Sequence, residues 1–434
     1  MILLFVAALH LGQLDLSQAV GAVRAQDSMP RVTLSEALER ATRLDPNYVR
    51  ALGQVDEAEW GWRAARIAFV LPSITASLDA SRYSAAFFNI GTGQPQNSAV
   101  NARLDGRYEL FTLRKFTDLN RTSAELEGAR AGRLQAQFVS AFLTESDFYA
   151  VLADQELYRV ARDRVDRAEA QLAVARARVA SGAAVQTDSL QLQLELARAR
   201  VDVLLRRSAL TVSRLQLGRR IGVAGPAQAV AADTLPAADL PLTLSEAVSR
   251  ALGQRPEYRV AQANERAAQA TFTGHRGEYL PSVTLGANYT RFDDHFFPGA
   301  RKVSSIMLGV SLPIWNNGLR EIAITQARVD RDVARAVRAD LERAAIPDVT
   351  EAYEAYENAR EATGLAAEAV IVAQENYRVQ ETRYRSGATT ILDLVEAQVS
   401  LSDAQAGLVQ ARYANRLALA GLEAILGERL FPIE

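Results

Sequence analysis

Few side chains in this sequence could carry out covalent or acid–base chemistry. The chain has no cysteine and three histidines: His10 lies near the N-terminus, and His275 and His295 are interpreted as solvated loop residues. Without cysteine, thiolate metal ligands, catalytic thiols and disulfides are excluded. No serine or histidine pattern places a nucleophile beside a base, and no glycine-rich phosphate loop follows a strand. The sequence therefore predicts no enzyme, no metal site and no cofactor.

The charge composition limits the kinds of partner that the sequence predicts. The formal net charge is −2 and charged residues make up 23% of the chain, which gives no reason to expect nucleic acid as a partner. The acidic residues of most interest are Asp188 and Asp393, because they stand at matching places in a repeated segment. On its own, Asp393 can be interpreted as an acid in the first turn of a helix, where it interacts favourably with the helix dipole.

The repeated segment is a Ser-Gly-Ala turn between long helical stretches. A glycine at this place can take the left-handed conformation that closes a helix C-terminus. The residues that recur at one constant offset are Ser181, Gly182, Ala183, Asp188, Gln193, Leu196 and Gly222, matched by Ser386, Gly387, Ala388, Asp393, Gln398, Leu401 and Gly427. A register kept without a gap predicts an internal two-fold repeat.

The repeat predicts the domain organisation. Each half is expected to contain a β-hairpin followed by a helical hairpin. The expected boundaries are residues 32–222 for the first repeat, with a β-hairpin at about 71–111 and a helical hairpin at about 116–220; residues 223–242 for an Ala-, Pro- and Gly-rich linker; and residues 243–427 for the second repeat, with a β-hairpin at about 280–314 and a helical hairpin at about 319–427.

The N-terminal residues 1–25 resemble a secretory signal peptide. A short apolar run precedes a small-residue stretch that ends at Ala25. An ordinary N-terminal helix is the alternative. No later segment has the ~18–20 apolar residues of a membrane-spanning helix. If the chain crosses a membrane, it must therefore do so as β-strands.

Four stretches of about ten residues alternate between apolar and polar side chains. In the first, Ile74, Ala76 and Leu78 alternate with Thr75 and Ser77. The other stretches carry their apolar residues at Ala102, Leu104, Tyr108 and Leu110, at Val283, Leu285, Ala287 and Tyr289, and at Ile306, Leu308, Val310 and Leu312. The pattern fits a transmembrane barrel with a wet interior. A soluble four-stranded sheet with one face on a core fits it about equally well.

Apolar residues repeat every seven positions along the long helical stretches. The first shows Val151, Tyr158, Val165, Leu172 and Val179, with Ala161, Ala168 and Ala175 between them; the second shows Tyr356, Val370, Tyr377 and Tyr384, with Ala359, Ala366 and Ala373. The helix that returns after the first turn carries Leu190, Leu194, Ala197, Val201 and Leu204. This periodicity predicts supercoiled, coiled-coil packing.

Four strands cannot close a barrel, and an open edge in lipid leaves backbone groups unpaired at a cost of several kcal/mol each. Such a chain must oligomerise. In the order of its elements, the chain from Val32 to Gly427 resembles the TolC-like outer-membrane efflux proteins. The resemblance implies an α+β membrane protein whose homotrimer forms a twelve-stranded β-barrel, continuous with an α-helical tunnel in the periplasm.

The resemblance also implies a function and partners. The trimer would lie in the lipid of the outer membrane and act as the exit duct for an inner-membrane pump, joined to it through a periplasmic adaptor. The alternative is a secreted coiled-coil structural or adhesive protein without a channel. That alternative explains the heptads, but it gives no reason for two matched hairpins at equivalent places.

The resemblance places the closed tip of the tunnel, and the contacts with the adaptor, at the two Ser-Gly-Ala turns. Asp393 and Glu396 match two acidic residues of the family's constriction, so three chains would form a ring of six carboxylates. Tyr384 matches a tyrosine that latches the coils shut by bonding to a Thr-Asp pair, here Thr187 and Asp188. Some members have an arginine, which completes the latch, where this chain has Thr389.

Overall fold

The computed structural model describes residues 29–89, 93–230, 239–293 and 301–431. The expected signal peptide and His295 lie outside these residues. The elements in chain order are β1 Arg31–Val32, α1 Leu34–Leu44, α2 Pro46–Val70, β2 Ser73–Asn89, β3 Gln94–Phe111, α3 Leu113–Ala180, α4 Gln186–Arg220, β4 Gln228–Ala229, α5 Leu244–Gln254, α6 Pro256–Arg276, a short 3-10 helix Gly277–Tyr279, β5 Ser282–Asp293, β6 Arg301–Ser311, α7 Leu319–Ser386 and α8 Ile391–Leu426.

The described chain divides into two compact units, and each takes residues from both halves of the sequence. The sheet-bearing unit consists of Arg50–Gln135 and Ser249–Pro347. The turn-bearing unit consists of the described residues of Met1–Val49, Ala136–Val248 and Asp348–Glu434. Helices α3 and α7, of 68 residues each, contribute to both units. No helix in the described ranges has the length and apolar content that crossing a bilayer requires.

The sheet-bearing unit contains a four-stranded antiparallel sheet in the order β2-β3-β5-β6. Residues that the sequence pattern assigns to one face lie opposite one another across the strands. Leu104, for example, pairs with Ala76 on one side and with Tyr289 on the other. Because successive side chains of a strand point to opposite faces, this register produces one apolar and one polar face.

The two faces of the sheet differ in their contacts. On the polar face, Asn288 Nδ2 donates to Asp105 Oδ1 over 2.6 Å, across neighbouring strands. The apolar face is uncovered, since Ile306 is 81% exposed and Leu308 is 64% exposed. An apolar sheet face of this kind is typical of contact with lipid or with another protein surface.

The core of the turn-bearing unit forms where α3, α4 and α8 pack together with the short parallel pair β1 and β4. Helix α1 begins next to this core with a capping box: Glu36 N–H donates to Thr33 Oγ1, and Thr33 N–H donates to Glu36 Oε2. The largest side chains of the core are Phe148, Leu152, Leu157, Leu210, Leu217, Ile221 and Tyr413.

The heptad alanines of α3 are buried as expected. Ala161, Ala168 and Ala175 are all at most 2% exposed. The equivalent alanines of α7 are only half-buried. Small residues in a seam allow helices to approach closely, and in this single chain the seam of α3 is the one that is covered.

The apolar stripe that the sequence pattern assigns to α4 is exposed in the single chain. We call this set the outer stripe; its exposed members are Leu190 at 55%, Leu194 at 46%, Val201 at 57% and Leu204 at 64%. Helix α4 instead buries Leu192, Leu196 and Ala199 against its own chain. The helix therefore carries two apolar stripes, of which the chain covers one.

Candidate functional site

The two Ser-Gly-Ala turns have the same backbone construction. Gly182 and Gly387 take φ of +75° and +80°, the left-handed region that favours glycine. In each turn the alanine N–H donates over 2.8 Å to a carbonyl five residues earlier, from Ala183 to Arg178 and from Ala388 to Arg383. The serine and alanine side chains of both turns are exposed.

The helices that follow the two turns begin differently. Helix α8 starts with Thr390 as its N-cap in a capping box with Asp393. The N-cap of α4 is Val185, whose side chain makes no capping bond. The N–H of Asp188, the counterpart of Asp393, donates to the Val185 carbonyl over 3.1 Å, while its carboxylate contacts the other turn.

The carboxylate of Asp393 is held by its own helix terminus. Its Oδ2 accepts from the hydroxyls of Thr390 at 2.7 Å and Thr389 at 2.8 Å, and from Thr390 N–H at 3.1 Å. The hydroxyl of Thr390, then that of Thr389, stabilise the ionised form and lower the pKa of Asp393. Within one chain Asp393 therefore serves as a capping residue, and its carboxylate stays charged.

Glu396 lies one turn further along α8 and is exposed. Residues three apart on a helix lie on the same face, so Glu396 and Asp393 present two carboxylates side by side next to the second turn. No ion pair to either residue occurs among the described residues.

Tyr384 joins the two turns. Its side chain is 1% exposed, and its hydroxyl donates to Asp188 Oδ2 over 3.3 Å. Burial first, and then the Asp188 carboxylate, raise the pKa of Tyr384. Thr187, the other expected latch residue, is exposed and makes no hydrogen bond with Tyr384 in the described chain. Among the described residues, Asp188 is the hydrogen-bond partner of the Tyr384 hydroxyl.

A guanidinium that the sequence interpretation missed also contacts Tyr384. Arg178 Nη1 donates to the Tyr384 carbonyl, and Arg178 Cζ lies 4.7 Å from the centroid of the tyrosine ring. The signal in the sequence was the repeat itself, because Arg178 and Arg383 stand three residues before the two serines. Arginine is so common in this chain that the match did not stand out.

A second polar contact lies one heptad before Arg178. Gln171, 1% exposed, donates from Nε2 to Tyr377 Oη over 3.0 Å and to Glu381 Oε1 over 2.9 Å. Burial raises the pKa of Tyr377. A buried glutamine on an apolar seam needs partners, and here α7 provides them.

Beneath the two turns lies an apolar cluster that supports these contacts. Its buried members are Ala168, Leu172, Ala175, Leu192, Leu196, Tyr384, Ile391 and Leu394. Since both helical hairpins contribute to it, the turns are held next to one another by burial of apolar surface as well as by hydrogen bonds.

The histidine described in this chain lies outside the turns. His275 was expected in a loop, but it lies at the end of α6, is half-buried, and its Nδ1 lies 2.9 Å from Glu278 Oε1. No group of three metal-ligating side chains occurs among the described residues.

The family model described as outer membrane efflux protein matches residues 34–223 and 247–428. The chain therefore belongs to the outer membrane efflux protein family, whose members are channel proteins. It lies in the outer membrane and serves as the exit duct of an efflux system.

Individual relatives agree with this assignment. The pyoverdine export outer membrane protein OpmQ of Pseudomonas aeruginosa is 26% identical over 416 residues, covering 91% of this chain and 85% of OpmQ. The toluene efflux pump outer membrane protein TtgC of Pseudomonas putida is 24% identical over 367 residues, covering 82% of this chain and 75% of TtgC.

A solved channel has the same fold. The crystal structure of the Campylobacter jejuni CmeC outer membrane channel superposes with a TM-score of 0.77 at 16% identity, covering 91% of this chain and 85% of CmeC. Identity at this level establishes the fold alone.

Proposed function

We propose that three copies of this chain assemble around one axis. Their sheets close a twelve-stranded β-barrel in the outer membrane, and their long helices form a tunnel through the periplasm. The observation that carries the proposal is the open sheet: in the described chain β2 and β6 each have a hydrogen-bonded neighbour on one side only. In lipid those edges must be paired, and further copies supply the missing strands.

The outer stripe of α4 supports the same assembly. It places four large apolar side chains on one exposed face of a helix whose opposite face is already buried. Exposed apolar surface of this extent marks a contact with another protein. A neighbouring copy covers the stripe in the trimer, and the half-buried alanines of α7 also approach a neighbour.

The duct is closed at the two Ser-Gly-Ala turns. Tyr384 and Asp188 form the latch within each chain. Asp393 and Glu396 of three chains form a ring of six carboxylates at the narrowest point. A ring of carboxylates at a constriction favours cations in the closed state.

The exposed serine, glycine and alanine residues of the turns meet a periplasmic adaptor, which connects the duct to an inner-membrane pump. These residues are Ser181, Gly182, Ala183, Ser386, Gly387 and Ala388. The relatives OpmQ and TtgC, named as the outer membrane proteins of an export system and of an efflux pump, support these partners.

Disulfide trapping tests the assembly, because the chain has no cysteine of its own. Thr75→Cys on β2 is combined in turn with Val303→Cys, Ser305→Cys and Met307→Cys on β6, all on the polar face. Oxidation in native membranes should give covalent dimers and trimers for at least one combination, because β2 of one copy lies beside β6 of the next.

The matched control is Asp105→Cys with Asn288→Cys, directly opposed on neighbouring strands of one chain. Oxidation of this pair should form a disulfide within one chain, so the protein should stay monomeric. If the control pair oxidises fully and every β2–β6 combination stays monomeric, the trimeric barrel is wrong.

A further inference from the structure

The two turns allow a comparison between equivalent arginines. Arg178 Nη2 donates to the Ala183 carbonyl over 3.2 Å, and Arg383 Nη2 donates to the Ala388 carbonyl over 3.5 Å. The hydroxyls of Ser181 and Ser386 donate to the carbonyls of these arginines at 3.0 and 2.9 Å. Each arginine thus hydrogen-bonds to the alanine carbonyl of its own turn in the same way.

Only Arg178 also reaches the other turn. Its Nη1 donates to the Tyr384 carbonyl, and its guanidinium lies over the Tyr384 ring. The approach is close enough that a Cβ built on Gly387 would lie 3.4 Å from Arg178 Nη2. Arg383 is exposed and, among the described residues, donates only to its own turn.

Tyr384 is consequently held from two directions. Asp188 accepts its hydroxyl, while Arg178 contacts its ring face and its backbone. The counterpart of Tyr384 in the first turn is Val179, which offers neither a hydroxyl nor a ring. Among the described residues this arginine–tyrosine contact occurs once per chain, and through it Arg178 links the first turn to the second.

We propose that Arg178 is a positioning residue of the gate: its forked guanidinium bridges the Ala183 and Tyr384 carbonyls and holds the Tyr384 ring so that the hydroxyl reaches Asp188. This role rests on the proposed gate at the turns. When the two turns separate, the hydrogen bond from Arg178 to the Tyr384 carbonyl breaks. A planar guanidinium can serve two carbonyls and a ring face at once, which an ammonium group cannot do in the same way.

Single-channel recording of the purified full-length protein in planar bilayers tests the role. Arg178→Ala should raise the open probability about tenfold, as expected for loss of a charge-assisted hydrogen bond. Arg383→Ala, the equivalent change in the other turn, should leave it at the parent's value. Arg178→Lys should restore part of the closure. Yield and helical content should not change, which separates positioning from folding.

A double-variant cycle tests whether Arg178 acts through Tyr384. Adding Arg178→Ala to Tyr384→Leu should open the channel little further than Tyr384→Leu alone, since the two changes remove one shared contact. If Tyr384→Leu opens the channel but Arg178→Ala behaves like Arg383→Ala, the role of Arg178 is refuted while the gate stands. If Tyr384→Leu has no effect either, the gate at these turns is refuted.

Discussion

At the scale of single residues, the burial of Tyr384 determines how its hydroxyl is bonded in the proposed gate. A tyrosine that is 1% exposed needs a hydrogen-bond partner for its hydroxyl, and Asp188 provides it. Because burial and the neighbouring carboxylate raise the pKa of Tyr384, the hydroxyl stays protonated at neutral pH. The hydroxyl can therefore donate to Asp188 at neutral pH.

The carboxylates of α8 should set ion preference. Asp393→Asn with Glu396→Gln should abolish the cation preference of the channel and its block by multivalent cations, because the charges of the ring are removed. The asparagine keeps an oxygen that can accept the Thr390 N–H, so α8 should still begin at the same place. Reversal potentials in salt gradients measure the preference. Asp403→Asn, an exposed acid further along α8, is the control and should change nothing.

Thr389 should tune the pH at which that block is lost. Its hydroxyl helps to lower the pKa of Asp393, so Asp393 stays charged until the pH falls through this lowered value. Thr389→Val should raise the pKa and shift the loss of multivalent block to higher pH, while Thr390 keeps the helix cap. A titration of block against pH measures the shift. A midpoint that moves down or stays fixed would contradict the bonding seen here.

Part of the site could be predicted from the sequence. The turns and the Tyr384–Asp188 pair followed from the repeat and the family resemblance. Arg178 did not, because a guanidinium near a helix end is usually solvated and nothing local shows that it crosses to another turn. Whether Asp393 acts as a cap or as part of a ring also depends on distances between chains, which periodicity does not contain.

At the scale of elements, two of the ion pairs that join α3 and α4 differ greatly in burial. Arg164 donates to Glu195 Oε1 from Nε and Nη2, and the Glu195 side chain is 2% exposed. Arg200 and Glu169 link the same helices, with 63% and 49% of their side chains exposed. Removing one partner of a buried ion pair leaves the other charge buried without a partner. An exposed ion pair contributes little to stability.

Arg164→Met should therefore destabilise the helical hairpin by about 3–5 kcal/mol, and the double change Arg164→Met with Glu195→Leu should recover much of the loss. Arg200→Met should cost less than about 1 kcal/mol. The temperature at which helical circular dichroism is lost measures all three. Equal losses for Arg164→Met and Arg200→Met would show that Glu195 is solvated.

The difference between the two faces of the sheet leads to a separate prediction. Leu104→Arg puts a charge on the apolar face and should reduce the amount of protein in the outer-membrane fraction, since a charge near the midplane costs about 2–4 kcal/mol. Arg103→Leu, on the polar face one residue away, is the matched control and should be tolerated. Equal recovery of both variants would mean that the faces are assigned the wrong way round.

Periodicity predicted the type of each element well. Alternation of period two distinguished the four strands from the long heptad helices, because the two backbone geometries place side chains differently. It could not show which of the two apolar stripes on α4 faces its own chain. Leu192 and Leu196 are buried while Leu190 and Leu194 are exposed, and both stripes fit a helical pattern equally well.

At the scale of the whole molecule, the uncovered surfaces of the described residues support the proposed assembly. The sheet has two unpaired edges, its apolar face is bare, and the outer stripe of α4 is exposed. A soluble monomer would have to keep all three in water. A trimer in a membrane covers the edges and the stripe with neighbouring copies and the sheet face with lipid.

The most direct test of a gated duct is the single-channel conductance of the protein purified from outer membranes and inserted into planar bilayers. The parent should give small, cation-preferring channels. Tyr384→Phe with Asp188→Ala should raise the conductance and keep the cation preference, because each lost bond is worth only ~0.5–1.5 kcal/mol net but three copies lose them together. Thr187→Val, the control, should leave the conductance at the parent's value. A parent that forms no channels, or a latch variant with the parent's conductance, would contradict a duct closed at these turns.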